Sequence, residues 1–138
     1  MPFDEYIKAK SDENWKCAKI LGQEPNKHFN AATSRMYYSI FLLVKSVMVR
    51  NNENPALPDV TKMTMDASTG VHQLAADYLN YIDYGLGRCY QKLISLREKA
   101  DYDPAPITQK EFEEAFAIWL EKRNEFVSNL KNYRRLYL

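Results

Sequence analysis

The stretch FNAATSRMYYSIFLLVKSVMV, residues 29–49, decides the fold of this chain. Its apolar residues recur at intervals of three and four, which places them along one face of an α-helix. The main stripe consists of Phe29, Met36, Tyr37, Ile40, Val44 and Val47, and it is widened by Tyr38, Leu42 and Val49. A stripe of this breadth predicts a helix that is buried on more than one side.

Proline and glycine divide the rest of the chain into further segments with helical spacing of apolar residues. The breaks fall at Gly22 and Pro25, at Pro55 and Pro58, at Gly85 and Gly87, and at Pro104 and Pro106. The last segment opens with Thr108 and Glu111, a pair that is typical of a capping box at a helix start. Short breaks favour antiparallel neighbours, so the sequence predicts an all-α, up-and-down bundle of four to five helices.

Length and composition fit one domain spanning residues 1–138. With only 4 glycines, the chain lacks the tight-turn residues of an all-β fold. Cys17 and Cys89 lie far apart and form no C-x-x-C motif, which favours two buried, reduced thiols in a cytoplasmic protein. The first residues do not resemble a signal peptide, and the longest apolar run, residues 40–44, is far below the roughly 20 residues of a membrane span. We therefore expect no membrane association.

Charge is balanced overall but unevenly distributed. The net charge is +1, so no global field attracts nucleic acid or an anionic membrane. Residues 27–50 carry four basic and no acidic residues, whereas residues 53–83 carry five acidic residues against Lys62. The two segments either pair inside the bundle or leave a local basic surface. Near the C-terminus, basic residues alternate with tyrosines, which fits either a solvated helix end or a surface that binds phosphates and stacks bases; these basic residues are Lys131, Arg134 and Arg135.

The two histidines lack the neighbours that helical metal sites require. In a di-iron bundle a carboxylate precedes a histidine by three positions, but Pro25 precedes His28 and Thr69 precedes His72. No zinc-protease, calcium-loop or phosphate-loop motif occurs, so we expect no metal and no cofactor. Neither histidine is followed by the lysine and glycine typical of phosphotransfer domains. We interpret both as local hydrogen-bonding residues.

The segment LREKADYDP, residues 96–104, has the most chemical content. Arg97 precedes Asp101 by four positions, so the two side chains can pair on one side of a helix. Alternatively, Arg97 faces a cleft, where its planar group of donors binds a phosphate.

The second helix and this segment together resemble the HEPN domain family of prokaryotic all-helical proteins. AATSRMYYSIF, residues 31–41, is similar to the family's A-x-S-R-x-Y-Y-x-x-F helix, and residues 97–103 are similar to its R-x-x-A-D-Y-D motif. The resemblance covers nearly the whole chain. It implies a bundle that dimerises with the arginine near the dimer cleft. It also implies a minimal nucleotidyltransferase as partner, either as toxin and antitoxin or as a substrate-binding subunit.

Many family members are metal-independent ribonucleases that carry a histidine separated from the arginine by four to six intervening residues. In this chain those positions are Tyr102, Asp103 and Pro104. A general base works best with a pKa near the operating pH, whereas a tyrosine ordinarily has a pKa of about 10. The first interpretation is therefore a dimeric binding or regulatory module in which Arg35 and Arg97 bind the phosphate of a nucleotide or RNA.

Two alternatives stay open at this point. One is a ribonuclease toxin in which Arg97 and Tyr102 are catalytic, or in which a distant histidine replaces Tyr102. The other is a helical scaffold in which Arg97 only pairs with Asp101 and no ligand binds.

Overall fold

The structure is a computed structural model that describes residues 3–50 and 70–133. All regular elements within these two stretches are helices: α1 (Phe3–Leu21), α2 (Phe29–Arg50), α3 (Val71–Ile82), α4 (Tyr84–Tyr102), α5 (Gln109–Ser128) and the four-residue α6 (Leu130–Tyr133). The all-α prediction is confirmed. The loop predicted between Asn51 and Met65 lies outside the described residues.

Helix α2 is the centre of the bundle, because α1, α3, α4 and α5 all pack against it. Its buried apolar residues are Ala32, Met36, Tyr37, Ile40, Phe41, Leu43, Val44, Val47 and Met48. This confirms that the helix is buried on more than one side. Several polar side chains of α2 are buried with them, namely Thr33, Ser34, Ser39 and Ser46.

The break between α3 and α4 was predicted at Gly85 and Gly87, and this prediction is wrong. The break is the single residue Asp83, whose extended backbone and side chain cap α4 by accepting a hydrogen bond from Leu86 N at 3.1 Å. An aspartate before a helix is itself a start signal, because its carboxylate satisfies a free backbone N–H. Gly87 has a packing role instead, since a Cβ atom there would clash with Asn80 of α3.

The start of α5 is the predicted capping box. Thr108 Oγ1 accepts a hydrogen bond from Glu111 N at 3.1 Å, and Glu111 Oε1 accepts one from Thr108 N at 3.1 Å. Lys99 Nζ lies 2.9 Å from both carboxylate oxygens of Glu111, which ties α4 to α5. Cys17 and Cys89 are free thiols as predicted, but they are half-buried rather than fully buried. Within residues 3–50 and 70–133, no helix has the length and apolarity to cross a membrane.

A buried cation joins α5 to α1 and α2. Arg123 Nε donates to Ser39 Oγ at 2.9 Å, while its Nη2 donates to Ser11 Oγ at 3.0 Å and to Asp12 Oδ1 at 2.6 Å. Burial opposes ionisation of Asp12, but the hydrogen bond from Arg123, together with Lys8, lowers the pKa of this carboxyl. The network thus keeps a charged arginine satisfied inside the bundle.

Arg123→Met should lower the free energy of unfolding by about 2 kcal/mol, because it leaves two buried serines and Asp12 without their donor. Urea-unfolding midpoints measure the loss. The matched control is Lys110→Met on the same helix, where the side chain is 84% exposed and a change below about 0.5 kcal/mol is expected.

The same pair of proteins gives a pH test of this network. The pKa of Asp12 is lower in the folded chain than its unfolded value of about 3.9, so the ion pair stabilises the fold above that pH. The advantage of wild type over Arg123→Met should shrink as the pH falls through the lowered pKa. Equal midpoints at pH 7 would contradict the assigned role of Arg123.

Candidate functional site

Arg97 lies on α4, facing α2, with a side chain that is only 12% exposed. Its Nε lies 2.9 Å from Asp101 Oδ2, although the N–H does not point at that oxygen, so the contact is an ion pair without an aligned hydrogen bond. The other carboxylate oxygen, Oδ1, accepts a short hydrogen bond from Ser34 Oγ of α2. The ion pair anticipated from the i, i+4 spacing is therefore present, and α2 fixes its carboxylate.

Three tyrosine rings surround the Arg97 guanidinium. Its Cζ lies 5.4, 5.7 and 5.8 Å from the ring centroids of Tyr37, Tyr38 and Tyr102, and its Nη2 donates to the Tyr38 hydroxyl at 3.3 Å. Burial opposes the charge, but attraction by Tyr38 and Asp101 raises the pKa of Arg97 above its ordinary value. No acceptor in the described part of the chain engages Nη1. The cation is thus held in place, with Nη1 unoccupied by any described residue and Nε engaged only through the ion pair with Asp101.

Arg35 lies beside the same ring. Its Cζ is 5.3 Å from the Tyr38 centroid, and its Nη1 donates to Asn14 Oδ1 at 3.2 Å. Arg35 is exposed, and among residues 3–50 and 70–133 no carboxylate lies within ion-pair distance of it. Two of the residues predicted to bind phosphate therefore share one tyrosine.

The remaining predicted site residues are placed differently. Tyr102 is 74% exposed, and its ring lies against the Arg97 guanidinium at the end of α4. The side chain of Lys131 and all of Arg134 and Arg135 lie outside what the structure describes, so the basic end of the chain stays a prediction.

His72 is the residue of this site that sequence reasoning missed. Tyr90 donates its hydroxyl proton to the Tyr37 oxygen at 2.9 Å, and the Tyr37 hydroxyl makes a short hydrogen bond to His72 Nδ1. Because the Tyr37 oxygen can accept a second hydrogen bond, either Tyr37 or His72 Nδ1 can be the donor in this contact. Local spacing carries no signal for this contact, because the three residues come from three different helices.

Burial and charge act together on these three groups. Burial, with the positive charge of Arg97 as second cause, lowers the pKa of His72, so the ring is neutral at pH 7. Burial also raises the pKa of Tyr37 and of Tyr90. His28, in contrast, is exposed in the connection before α2.

The arrangement suits an anion better than a metal ion. Among the residues that the structure describes, no three His, Cys, Asp or Glu side chains converge as metal ligands. A guanidinium with an unoccupied donor, which shares the Tyr38 ring with a second, exposed guanidinium, provides the hydrogen bonds and the charge that a phosphate group requires.

Comparison with known proteins identifies relatives. Residues 5–129 match the family model of the HEPN domain, a range that includes Arg35, His72 and Arg97. A protein of Methanocaldococcus jannaschii described as "Putative toxin" is 33% identical over 106 residues, which span 75% of this chain and 70% of that protein. No solved structure matches the chain.

Arg97→Met should raise the pKa of His72, because it removes a positive charge that disfavours the imidazolium. The titration of the His72 Cε1 proton, followed by NMR, measures this change. Arg35→Met is the matched control and should leave the midpoint unchanged. A His72 midpoint that is identical in wild type and Arg97→Met would mean that the two groups are not coupled.

Proposed function

The chain belongs to the HEPN domain family, and on that premise we propose that it is the phosphate-binding, regulatory half of a toxin–antitoxin or defence-type pair. The relative described as a toxin supports a toxin-associated HEPN module. The single observation that carries the proposal is the Nη1 group of Arg97, which engages no acceptor among the described residues, on a guanidinium that shares the Tyr38 ring with Arg35. The ligand is the phosphate of a nucleotide or of RNA.

The local charge supports this proposal. Arg97 is paired with the Asp101 carboxylate, both of whose oxygens are already in use, whereas no carboxylate of the described residues pairs with Arg35. A net positive charge therefore remains for an anion. Because the Arg97 side chain is largely shielded from water, salt screens its attraction for a phosphate less than it would at an open surface.

Dimerisation and the partner protein belong to the same proposal. Arg35, Tyr38 and Leu42 form a row on the outer side of α2, exposed or half-buried, and the exposed Tyr102 ring lies near this row. We expect a second copy of the chain to pack on this row and a minimal nucleotidyltransferase to bind the resulting dimer. Light scattering at micromolar concentration should give twice the chain mass of 16.2 kDa. A nucleotidyltransferase encoded by a neighbouring gene should copurify, and a monomer that captures no such protein would contradict this part.

The geometry favours binding over RNA cleavage. His72 Nδ1 is engaged by the hydroxyl of the fully buried Tyr37, which keeps this nitrogen away from a substrate hydroxyl. Tyr102 is near Arg97 and exposed, but a tyrosine is ordinarily a weak base at neutral pH. Arg97 therefore retains a charge-binding role without an accessible partner for proton transfer.

Arg97→Gln and Arg35→Gln should each weaken binding of ATP or of a short RNA by about tenfold, since each removes a charge-assisted hydrogen bond to phosphate. Isothermal titration calorimetry measures the affinities. Lys10→Gln, which removes an exposed charge from α1, is the matched control and should bind as wild type does. Wild type that binds neither ligand, or equal affinities in all four proteins, would overturn the proposed function.

Incubation of defined RNAs with wild type and Arg97→Ala in the presence of a chelator should leave both samples intact to the same extent. The physical reason is the absence of an accessible base beside Arg97. Gel electrophoresis of the products provides the measurement. Cleavage by wild type that Arg97→Ala abolishes would establish the ribonuclease alternative, and Tyr102→Phe would then identify whether Tyr102 takes part.

A further inference from the structure

A second basic and aromatic surface lies at the other end of α4. Tyr84, Arg88 and Lys92 follow one another at intervals of four residues, so they form a row on one side of the helix with a spacing of about 6 Å. We call these three residues the α4 row. The Tyr84 ring is 63% exposed, and Tyr81 at the end of α3 is 59% exposed beside the junction of the two helices.

A polar cavity opens along the α4 row. It has a volume of about 340 Å³ and is lined by Asn80 and Gln91 together with the three residues of the row. Asn80 Oδ1 is buried and has no hydrogen-bond partner. This oxygen packs against Gly87 and is closed to a ligand, so the polar contacts of the cavity come from the other lining side chains, Gln91 among them. The cavity thus combines amides, an aromatic ring and two cations.

The two cations of the row form no direct ion pair with a carboxylate of the described residues. Arg88 Nη1 donates to the Tyr84 hydroxyl at 3.0 Å, and within residues 3–50 and 70–133 neither Arg88 nor Lys92 has an ion-pair partner. Asp83 and Asp77 of this region accept hydrogen bonds from neutral groups, which orient their carboxylates and leave their negative charge in place. Asp83 accepts from Leu86 N at 3.1 Å, and Asp77 accepts from Gln73 Nε2 at 2.9 Å.

We propose that the α4 row, together with Tyr81, Asn80 and Gln91, binds single-stranded nucleic acid. Exposed tyrosine rings stack on bases whatever their identity, and cations along the same line bind the backbone phosphates. Side-chain amides in the cavity hydrogen-bond to the edge of an unpaired base. A duplex hides the faces of its bases, so the two exposed rings select a single strand.

This surface is separate from the Arg97 site and goes beyond the proposed function. Nine residues, or about 13 Å along the axis, separate Arg88 from Arg97, and this spacing turns the two side chains to opposite sides of α4. Substitutions at the two places should therefore act independently.

The experiment measures binding by fluorescence anisotropy of two fluorescein-labelled eight-nucleotide single strands, one of RNA and one of DNA. Each substitution is made in the full chain, both in wild type and in Arg97→Gln. Tyr84→Ala should weaken binding of a single strand about tenfold in both backgrounds through lost stacking. Arg88→Gln combined with Lys92→Gln should reduce the slope of log affinity against log salt by about 1.4, because two phosphate contacts are lost. Tyr6→Ala and Lys16→Gln, exposed residues of α1, are the matched controls.

The outcomes separate the sources of binding. Binding of both strands, or of RNA alone through its 2′-hydroxyl, with the expected losses supports the proposal, even when Arg97→Gln has no effect of its own. Affinities that Tyr84→Ala and the double variant leave unchanged overturn it. Polyglutamate that binds as tightly as the nucleic-acid strands, together with no effect of Tyr84→Ala, also overturns the proposal, since the surface would then recognise negative charge alone. ATP that binds as tightly as the strands, and that depends on the same residues, likewise overturns the proposal. The ligand of the surface would then be a mononucleotide.

Discussion

The constraint on which this structure depends is the enclosure of α2. Four helices surround it, so its polar side chains must find partners inside the protein rather than in water. Ser39 is paired with Ser11 and Arg123, Ser34 with Asp101, and Tyr37 with Tyr90 and His72. Together these pairs join α2 to α1, α3, α4 and α5. The apolar stripe makes the bundle collapse, and these polar contacts fix how each helix is placed against α2.

The chemistry of the Arg97 site follows from the same enclosure. Ser34 holds the carboxylate that pairs with Arg97, and the Tyr38 hydroxyl holds one end of the guanidinium, so the charged group is positioned before any ligand arrives. The accompanying burial keeps His72 neutral and the hydroxyls of Tyr37 and Tyr90 protonated. A site built in this way suits the recognition of an anion at a fixed position. It is poorly suited to moving a proton, because His72 Nδ1 is engaged by the buried Tyr37 hydroxyl rather than open to a ligand.

The sequence predicted what local spacing controls and missed what packing controls. Periodicity identified the helices, and the Thr108–Glu111 pair located the start of α5, because helix faces and caps depend on residues three or four positions apart. The i, i+4 pair of Arg97 and Asp101 could be predicted for the same reason. The burial of Arg123 and the contact of His72 with Tyr37 could not be predicted, since both join helices that are distant in the sequence. The break placed at Gly87 shows the converse error: the glycine serves close packing against Asn80, whereas the chain turns at Asp83.

The two basic regions of α4 differ in the property that decides what each can hold. Arg97 is enclosed by three rings and a carboxylate, so it offers one donor group in one geometry and loses little attraction to salt. Arg88 lies in the open, where its charge is screened and its side chain adjusts to the ligand. A rigid, shielded guanidinium fits a single phosphate. An open row of a ring and two cations suits a nucleic-acid strand, which repeats the same contacts along its length. Each exposed contact is weak alone, but once one nucleotide is bound the effective concentration of the next nucleotide is high. The division of α4 between these two environments follows from its position, with one side against α2 and the other facing solvent.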